Sequence, residues 1–207
     1  MAGTTDYLRH SKRGEPVWEL AQVEFPLQGY WTEAEFLARD LEVRVEFVRG
    51  VLEFLSVPTD KHQAILQLFY EMLIGFVRPK KLGKVRVSGI YVRTLPGLVR
   101  EPDVAFMKTE NQRRIEDKAW QGADLVLEVV SGSDSDRKRD LVDKREEYAA
   151  AAIPEYWIAD YDKGSVTVLA LKGKKYVEHC VCKRGETAKS KLLQGFEVEV
   201  KDLLDAE

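Results

Sequence analysis

Four charged residues stand where the surrounding sequence makes a charge costly or pointed, and together they could handle a divalent cation. Glu128 lies inside Leu125-Val126-Leu127-Glu128-Val129-Val130, a run apolar enough to be a strand covered on both faces. An unpaired carboxylate in such a place costs on the order of several kcal/mol, so it needs a cation, a metal ion or strong hydrogen-bond donors. Asp103 follows Pro102 at the head of the strand-like Val104-Ala105-Phe106-Met107. Adjacent strands lie about 4.8 Å apart, so Asp103 and Glu128, if neighbours on one face, could share an ion. The plainer readings are a salt bridge for Glu128 and a turn cap for Asp103.

Lys144 sits on the helix expected after Glu128, at the edge of the apolar stripe Leu141, Val142, Tyr148, Ala149 and Ala152. From there it can lie along the surface or turn its ammonium toward a strand-end carboxylate. Arg145 falls nearer the middle of the stripe, and spacing alone does not choose between the two. Glu46 shares a strand face with Arg44, two residues away, and its plain reading is a cross-strand ion pair.

The elements that must position these groups are legible in outline. Thr32-Glu33-Ala34-Glu35 is a capping box and predicts a short helix ending before Glu42. Alternation in residues 43–48 and 51–55 around Arg49-Gly50 predicts a hairpin. After Pro58, the apolar residues Ala64, Ile65, Leu68, Met72, Leu73 and Phe76 recur with helical spacing until Pro79. Residues 84–92 alternate with a break at Gly89, and Pro96-Gly97 marks a turn. Residues 109–121 are polar and read as a loop or frayed helix. A helix is expected from about Asp136 to Ala151, stopped by Pro154, then strands at 155–160, 165–171, 176–182 and 196–200. Interleaved helices and strands argue for one α/β domain over residues 29–207, with an antiparallel C-terminal portion in a mixed sheet and an arm at 1–28 that holds one short element near Trp18–Val23.

Composition narrows the classes. The 207 residues carry 32 Lys plus Arg against 35 Asp plus Glu, a net charge of −3, with 44% hydrophobic residues, enough for a sizeable core. No stretch has the roughly 18 apolar residues of a membrane helix, and the N-terminus lacks a secretory apolar segment, so a cytoplasmic protein is expected. Cys180 and Cys182 read as reduced residues on one strand face. The three histidines, His10, His62 and His179, are scattered, and none is assigned a ligand role; His62 at a helix start reads as structural or exposed. With a near-neutral balance, nucleic acid would have to be held by local patches or through a metal ion.

An Asp after a proline, an acid in the next apolar strand, a downstream Lys and an upstream Glu resemble the PD-(D/E)XK nuclease superfamily, and more closely its Uma-two family of endonucleases. The matching stretches are Glu46–Gly50 (EFVRG), Arg100–Phe106 (REPDVAF), Asp124–Ser131 (DLVLEVVS) and Asp143–Asp160 (DKREEYAAAAIPEYWIAD), with looser similarity over about residues 30–205. The resemblance implies a restriction-endonuclease-like mixed β-sheet flanked by helices. It implies a Mg²⁺- or Mn²⁺-dependent endonuclease in which Asp103 and Glu128 ligate the metal, Glu46 joins the acidic cluster and Lys144 is the catalytic lysine. The implied substrate is nucleic acid, DNA first, and the implied assembly a homodimer. A nuclease-fold module that binds nucleic acid or a protein without catalysis is the alternative.

Two departures stand out. Val130 occupies the position of the superfamily's D/E-X-K lysine, whose role passes in this family to the following helix, at Lys144. Ala152 stands where relatives often have Gly. Replacing Lys144 by Ala is expected to remove turnover and leave the fold intact. Phosphate contacts are expected from Arg137, Lys138 and Arg139, which open the helix of Lys144, ahead of the five cations among residues 78–86. No helix-turn-helix or similar base-reading motif is present.

Overall fold

A computed structural model of the protein describes residue 13 and residues 25–39, 41, 43–130 and 134–207. The element expected near Trp18–Val23 and the Ser131-Gly132-Ser133 segment lie outside these residues. Helix α1 (Glu33–Ala38) starts at the expected capping box: the Thr32 hydroxyl accepts from the Glu35 amide at 3.1 Å while Glu35 Oε2 accepts from the Thr32 amide at 2.8 Å. Strands β1 (Val45–Val48) and β2 (Val51–Phe54) form the hairpin, turning through Arg49 and Gly50, both at positive φ, as a two-residue turn of the right twist requires. Helix α2 (Asp60–Val77) is capped by the Thr59 hydroxyl and ends before Pro79.

The 84–92 segment divides more sharply than alternation suggests. Strand β3 (Gly83–Val87) and strand β4 (Tyr91–Leu95) belong to different sheets, because Ser88 and Gly89, both at positive φ, redirect the chain. After β5 (Leu98–Arg100) and β6 (Val104–Lys108), the polar stretch forms a 3₁₀ turn (Thr109–Arg114) and the three-residue strand β7 (Ala119–Gln121), too short for its alternation to be read from sequence. Strands β8 (Leu125–Val130), β9 (Glu155–Asp160), β10 (Ser165–Lys172) and β11 (Lys175–Lys183) follow, then β12 (Thr187–Lys189) and β13 (Glu197–Glu199) as a small antiparallel pair.

Among the described residues, six strands form a mixed sheet in the order β11-β10-β9-β8-β6-β3, with β8 and β9 parallel and the other pairs antiparallel. Five form a second sheet, β2-β1-β5-β4-β7. Every residue of β8 is buried, as expected of a central strand covered on both faces. Its alternation splits cleanly. Leu125, Leu127 and Val129 pack with Ile65, Phe69 and Leu73 of α2, whereas Val126 and Val130 pack with Tyr148, Ala149 and Tyr156 on the opposite face. Each such fully buried Leu or Phe contributes about 1.5–3 kcal/mol. No described helix is long and apolar enough to cross a membrane.

The helix after β8 is three pieces: α3 (Asp134–Lys138), a π-helical turn (Arg139–Asp143) and α4 (Lys144–Ala150). The turn is closed by the Lys144 amide bonding to the Arg139 carbonyl, one residue more than an α-turn spans. This extra residue shifts the phase of the helix and corrects the expected stripe: Val142 is 46% exposed, while Asp140 and Lys144 are buried. A last short helix, α5 (Val200–Leu204), closes the core beneath α2.

Candidate active site

Strands β6 and β8 run antiparallel, with Val104 opposite Leu127 and Ala105 opposite Val126. One step beyond that ladder, the same register sets Asp103 opposite Glu128 on the face of Ala105 and Val126. The expectation that these carboxylates sit on neighbouring strands and face one side therefore describes the geometry. Both line a cavity of about 110 Å³, bounded also by His62, Arg139, Asp140 and Lys144. Asp103 Oδ2 is held by the Val129 amide at 2.8 Å and His62 Nε2 at 3.2 Å. Glu128 Oε1 accepts from the Tyr148 hydroxyl at 2.7 Å and lies 2.9 Å from Lys144 Nζ. Asp103 Oδ1 and Glu128 Oε2 take no hydrogen bond from any described residue.

Lys144 is at the centre of the acids. Its ammonium lies 2.9 Å from Glu128, 3.2 Å from Glu46 and 3.3 Å from Asp140, and the residue is 2% exposed. Arg145, the alternative that spacing left open, lines a different cleft with Leu141 and Tyr176. Burial also overturns the expectation that Lys144→Ala would fold undisturbed, because Ala would leave three buried carboxylates around an empty position.

Glu46 lies apart from the cavity. Oε2 receives Arg100 Nη1 at 2.9 Å, and Oε1 accepts from the Glu101 amide at 2.9 Å and faces Lys144. Arg100 completes this network by bonding Glu53 at 2.8 Å and gripping Glu147 with two hydrogen bonds of 2.7 Å. Arg44, expected near Glu46, instead pairs with Glu101 at 2.8 Å.

The charge balance follows from this geometry. For Glu128, burial is the strongest influence and, with Asp140, Asp103 and Glu46 nearby, pushes its carboxyl up to about 8 against the pull of Lys144. Asp140 is raised for the same reason. Burial acts on Glu46 as well, but Lys144, Arg100 and the Glu101 amide outweigh it and hold that carboxyl below the usual range. Burial would lower Lys144, yet the surrounding carboxylates raise it, so the ammonium stays charged. With Glu46 satisfied by Lys144 and Arg100, the strain of crowding carboxylates is relieved by holding protons on Glu128 and Asp140, the two carboxyls that are raised.

Sequence reasoning missed Asp140, Arg100 and His62. Asp140 and Lys144 are spaced i, i+4, a readable signal for a helical ion pair, but the polar run around them reads as a solvated face. Arg100 was legible only as part of a motif stretch. His62, expected to be structural or exposed, touches Asp103, and its buried Nδ1 has no hydrogen-bond partner among the described residues. Arg137, Lys138 and Arg139, expected to meet phosphate, are each engaged with acids: Arg137 with Asp160 at 2.5 Å, Lys138 with Asp143 at 2.7 Å and Arg139 with Asp136 at 3.0 Å.

Residues 31–202 match the Uma2 family, described as "Putative restriction endonuclease". The chain belongs to that family. Among solved structures, it resembles a "putative nuclease belonging to DUF820" from Anabaena variabilis, with a TM-score of 0.70 at 17% identity, covering 84% of this chain and 97% of the other. That likeness shows the restriction-endonuclease-like fold. No curated protein matches the chain.

Whether a divalent ion suits the residues of this Uma2 protein is a question of free donors. Among the described residues, no three His, Cys, Asp or Glu side chains are set to enclose a metal by themselves. Glu46 is excluded because both its oxygens are engaged. Among the described residues, Asp103 and Glu128 each retain one oxygen that takes no hydrogen bond, in a site rich in carboxylates. Two carboxylates with water completing the shell are a usual Mg²⁺ arrangement, and the all-oxygen donor set favours Mg²⁺ or Mn²⁺ over Zn²⁺. The residues fit the ion.

Proposed function

We propose that the protein is a divalent-metal-dependent endonuclease that hydrolyses phosphodiester bonds in nucleic acid. The observation that carries this reading is the pairing of Asp103 with Glu128 across β6 and β8, each with one oxygen that takes no hydrogen bond from a described residue, on a cavity that Lys144 also lines. Membership in a restriction-endonuclease family supports the same chemistry.

Asp103 and Glu128 would hold the ion. Bound there, Mg²⁺ or Mn²⁺ would supply a Lewis acid for the phosphate and lower the pKa of an attacking water. The other tasks fall to the chain. The Val129 amide and His62 fix the Asp103 carboxylate, and Tyr148 fixes Glu128, so neither rotates when charge develops. Lys144 stays protonated and supplies positive charge to the extra negative charge of the transition state. Arg100 and Glu46 stand behind it: with Glu46 ionised and held by Arg100, the ammonium is positioned from below and cannot leave the cluster.

The test is incubation of the purified protein with plasmid, single-stranded DNA and RNA, with Mg²⁺, with Mn²⁺ and with EDTA. Cleavage that needs the divalent ion and disappears in Asp103→Asn and Glu128→Gln is the expected result. Cleavage that survives in EDTA, or an equal rate in both variants, would refute the reading.

A further inference from the structure

The face that Arg137, Lys138 and Arg139 were expected to provide is neutralised by its own acids, which leaves the question of what holds a polyanion near the cavity. Residues 78–86 carry five cations and no acid, and all five are exposed. Among the described residues none of the five forms an ion pair. Lys80 lies over the Phe76 ring, 3.3 Å from its centroid, and Arg86 donates to the Val85 carbonyl at 2.9 Å. Arg78, Lys81, Lys84 and Arg86 rim one cleft of about 400 Å³, to which Thr109 and Gln112 add polar groups. On a chain whose net charge is −3, this is a local positive field, not part of a general cationic coat.

Its direction links it to the site. Strand β3 is the edge of the six-stranded sheet and runs antiparallel to β6, with Lys84 opposite Met107, Arg86 opposite Ala105 and Val87 opposite Val104. Lys84 and Arg86 therefore share the sheet face of Ala105, and hence of Asp103 and Glu128. Just past β3, the Ser88 amide donates to the Asp103 carbonyl at 2.8 Å. Arg86 is two residues short of that point, about 7 Å along the strand, and Lys84 is a further 7 Å back.

We propose that the row of cations along edge strand β3, Lys84 and Arg86 on the sheet face of Asp103 and Glu128 with Lys81 at its start, is a track for the phosphodiester backbone of the substrate, leading it to the Asp103–Glu128 cavity. This rests on the nuclease reading and adds to it where the substrate lies. A line of unpaired cations spaced along a strand and ending at a phosphodiester-hydrolysing site suits an extended polyanion, and contacts confined to backbone phosphates give binding without base preference.

The test uses the full chain without divalent ion and a fluorescent 20-base-pair DNA duplex, with dissociation constants measured across a series of salt concentrations. Combining Lys81→Ala, Lys84→Ala and Arg86→Ala is expected to weaken binding at least tenfold and to reduce the slope of log K against log salt by about 2–3, the loss of some three phosphate contacts. The charge-keeping combination Lys81→Arg, Lys84→Arg and Arg86→Lys should restore both, which a merely misfolded variant could not imitate. If the Ala combination binds with unchanged affinity and slope while Asp103→Asn still abolishes plasmid cleavage, the track is wrong and the nuclease reading stands. If duplex binding follows the track residues but nothing is cleaved, the track is right and the nuclease reading fails. Capture of anionic phospholipid vesicles through these residues, with no binding of duplex, would also overturn the proposal.

Discussion

Two neighbouring groups of buried charges share the space between the sheets, and they differ in one respect. Around Arg100, the Glu46, Glu53 and Glu147 carboxylates are met by a guanidinium that uses all its nitrogens on them, and the network is closed. At the ends of β6 and β8, Asp103 and Glu128 line a cavity, and each is held by one oxygen while the other takes no hydrogen bond from a described residue. A closed network stabilises, or at least specifies, the fold; an unfinished one has donors left for something that is not protein. Lys144 belongs to both, facing Glu46 on one side and Glu128 on the other.

The comparison breaks most visibly if the closed group is opened. Arg100→Ala strands Glu46, Glu53 and Glu147 and is expected to cost about 3–5 kcal/mol of stability, as chemical denaturation would read it. Asp103→Asn, in contrast, keeps the shape of a side chain at the cavity wall and should fold normally while cleavage is abolished, a comparison made at matched circular-dichroism spectra. Equal losses of stability in the two variants would erase the distinction between the two groups.

A third effect separates the groups by pH. In the folded metal-free protein, Glu128 titrates at about 8 against an ordinary 4.5, so the folded state binds more protons than the unfolded chain between those values. Stability from this residue is therefore present below about pH 4.5 and is lost as pH rises toward 8. Glu46, whose carboxyl is lowered, acts with opposite sign: its contribution is present above about 4.5 and is lost as pH falls below it. Thermal unfolding from pH 5 to pH 8 should show a declining midpoint, Glu128→Gln should flatten that decline, and Mg²⁺ should raise the midpoint more at pH 8 than at pH 5. A midpoint that instead rises steadily to pH 8 in the wild type would contradict the assigned burial of Glu128.

How much of this was legible in the residues depends on how locally each feature is encoded. The capping box at Thr32, the Arg49-Gly50 hairpin and the Pro79 stop are local, and the structure has them where the sequence predicts them. So are the Asp103 and Glu128 faces, since an apolar strand of six residues fixes its own alternation. The Lys144 environment is not local. It depends on a π-turn inserted at Arg139–Asp143, which no periodicity announces and which turns Val142 outward while burying Asp140. Arg100 escaped for a related reason: its three acidic partners lie 47 to 54 residues away, Glu46 and Glu53 brought to it by sheet pairing and Glu147 by the packing of α4.

The smallest expected effect concerns the one departure at a helix end. Ala152 adopts φ of +57°, in the left-handed region that favours glycine, next to the end of α4. Ala152→Gly should add about 1 kcal/mol of stability and leave cleavage unchanged, because the position touches neither charge group. Denaturant midpoints of the two proteins would check it.

The most direct test of the central claim is calorimetric titration of Mn²⁺ into the wild-type protein, Asp103→Asn, Glu128→Gln and Glu53→Gln. The geometry predicts saturable binding to the wild type and to Glu53→Gln, with binding lost in the other two. Absence of binding to the wild type, or undiminished binding when Asp103 or Glu128 is neutralised, would contradict it.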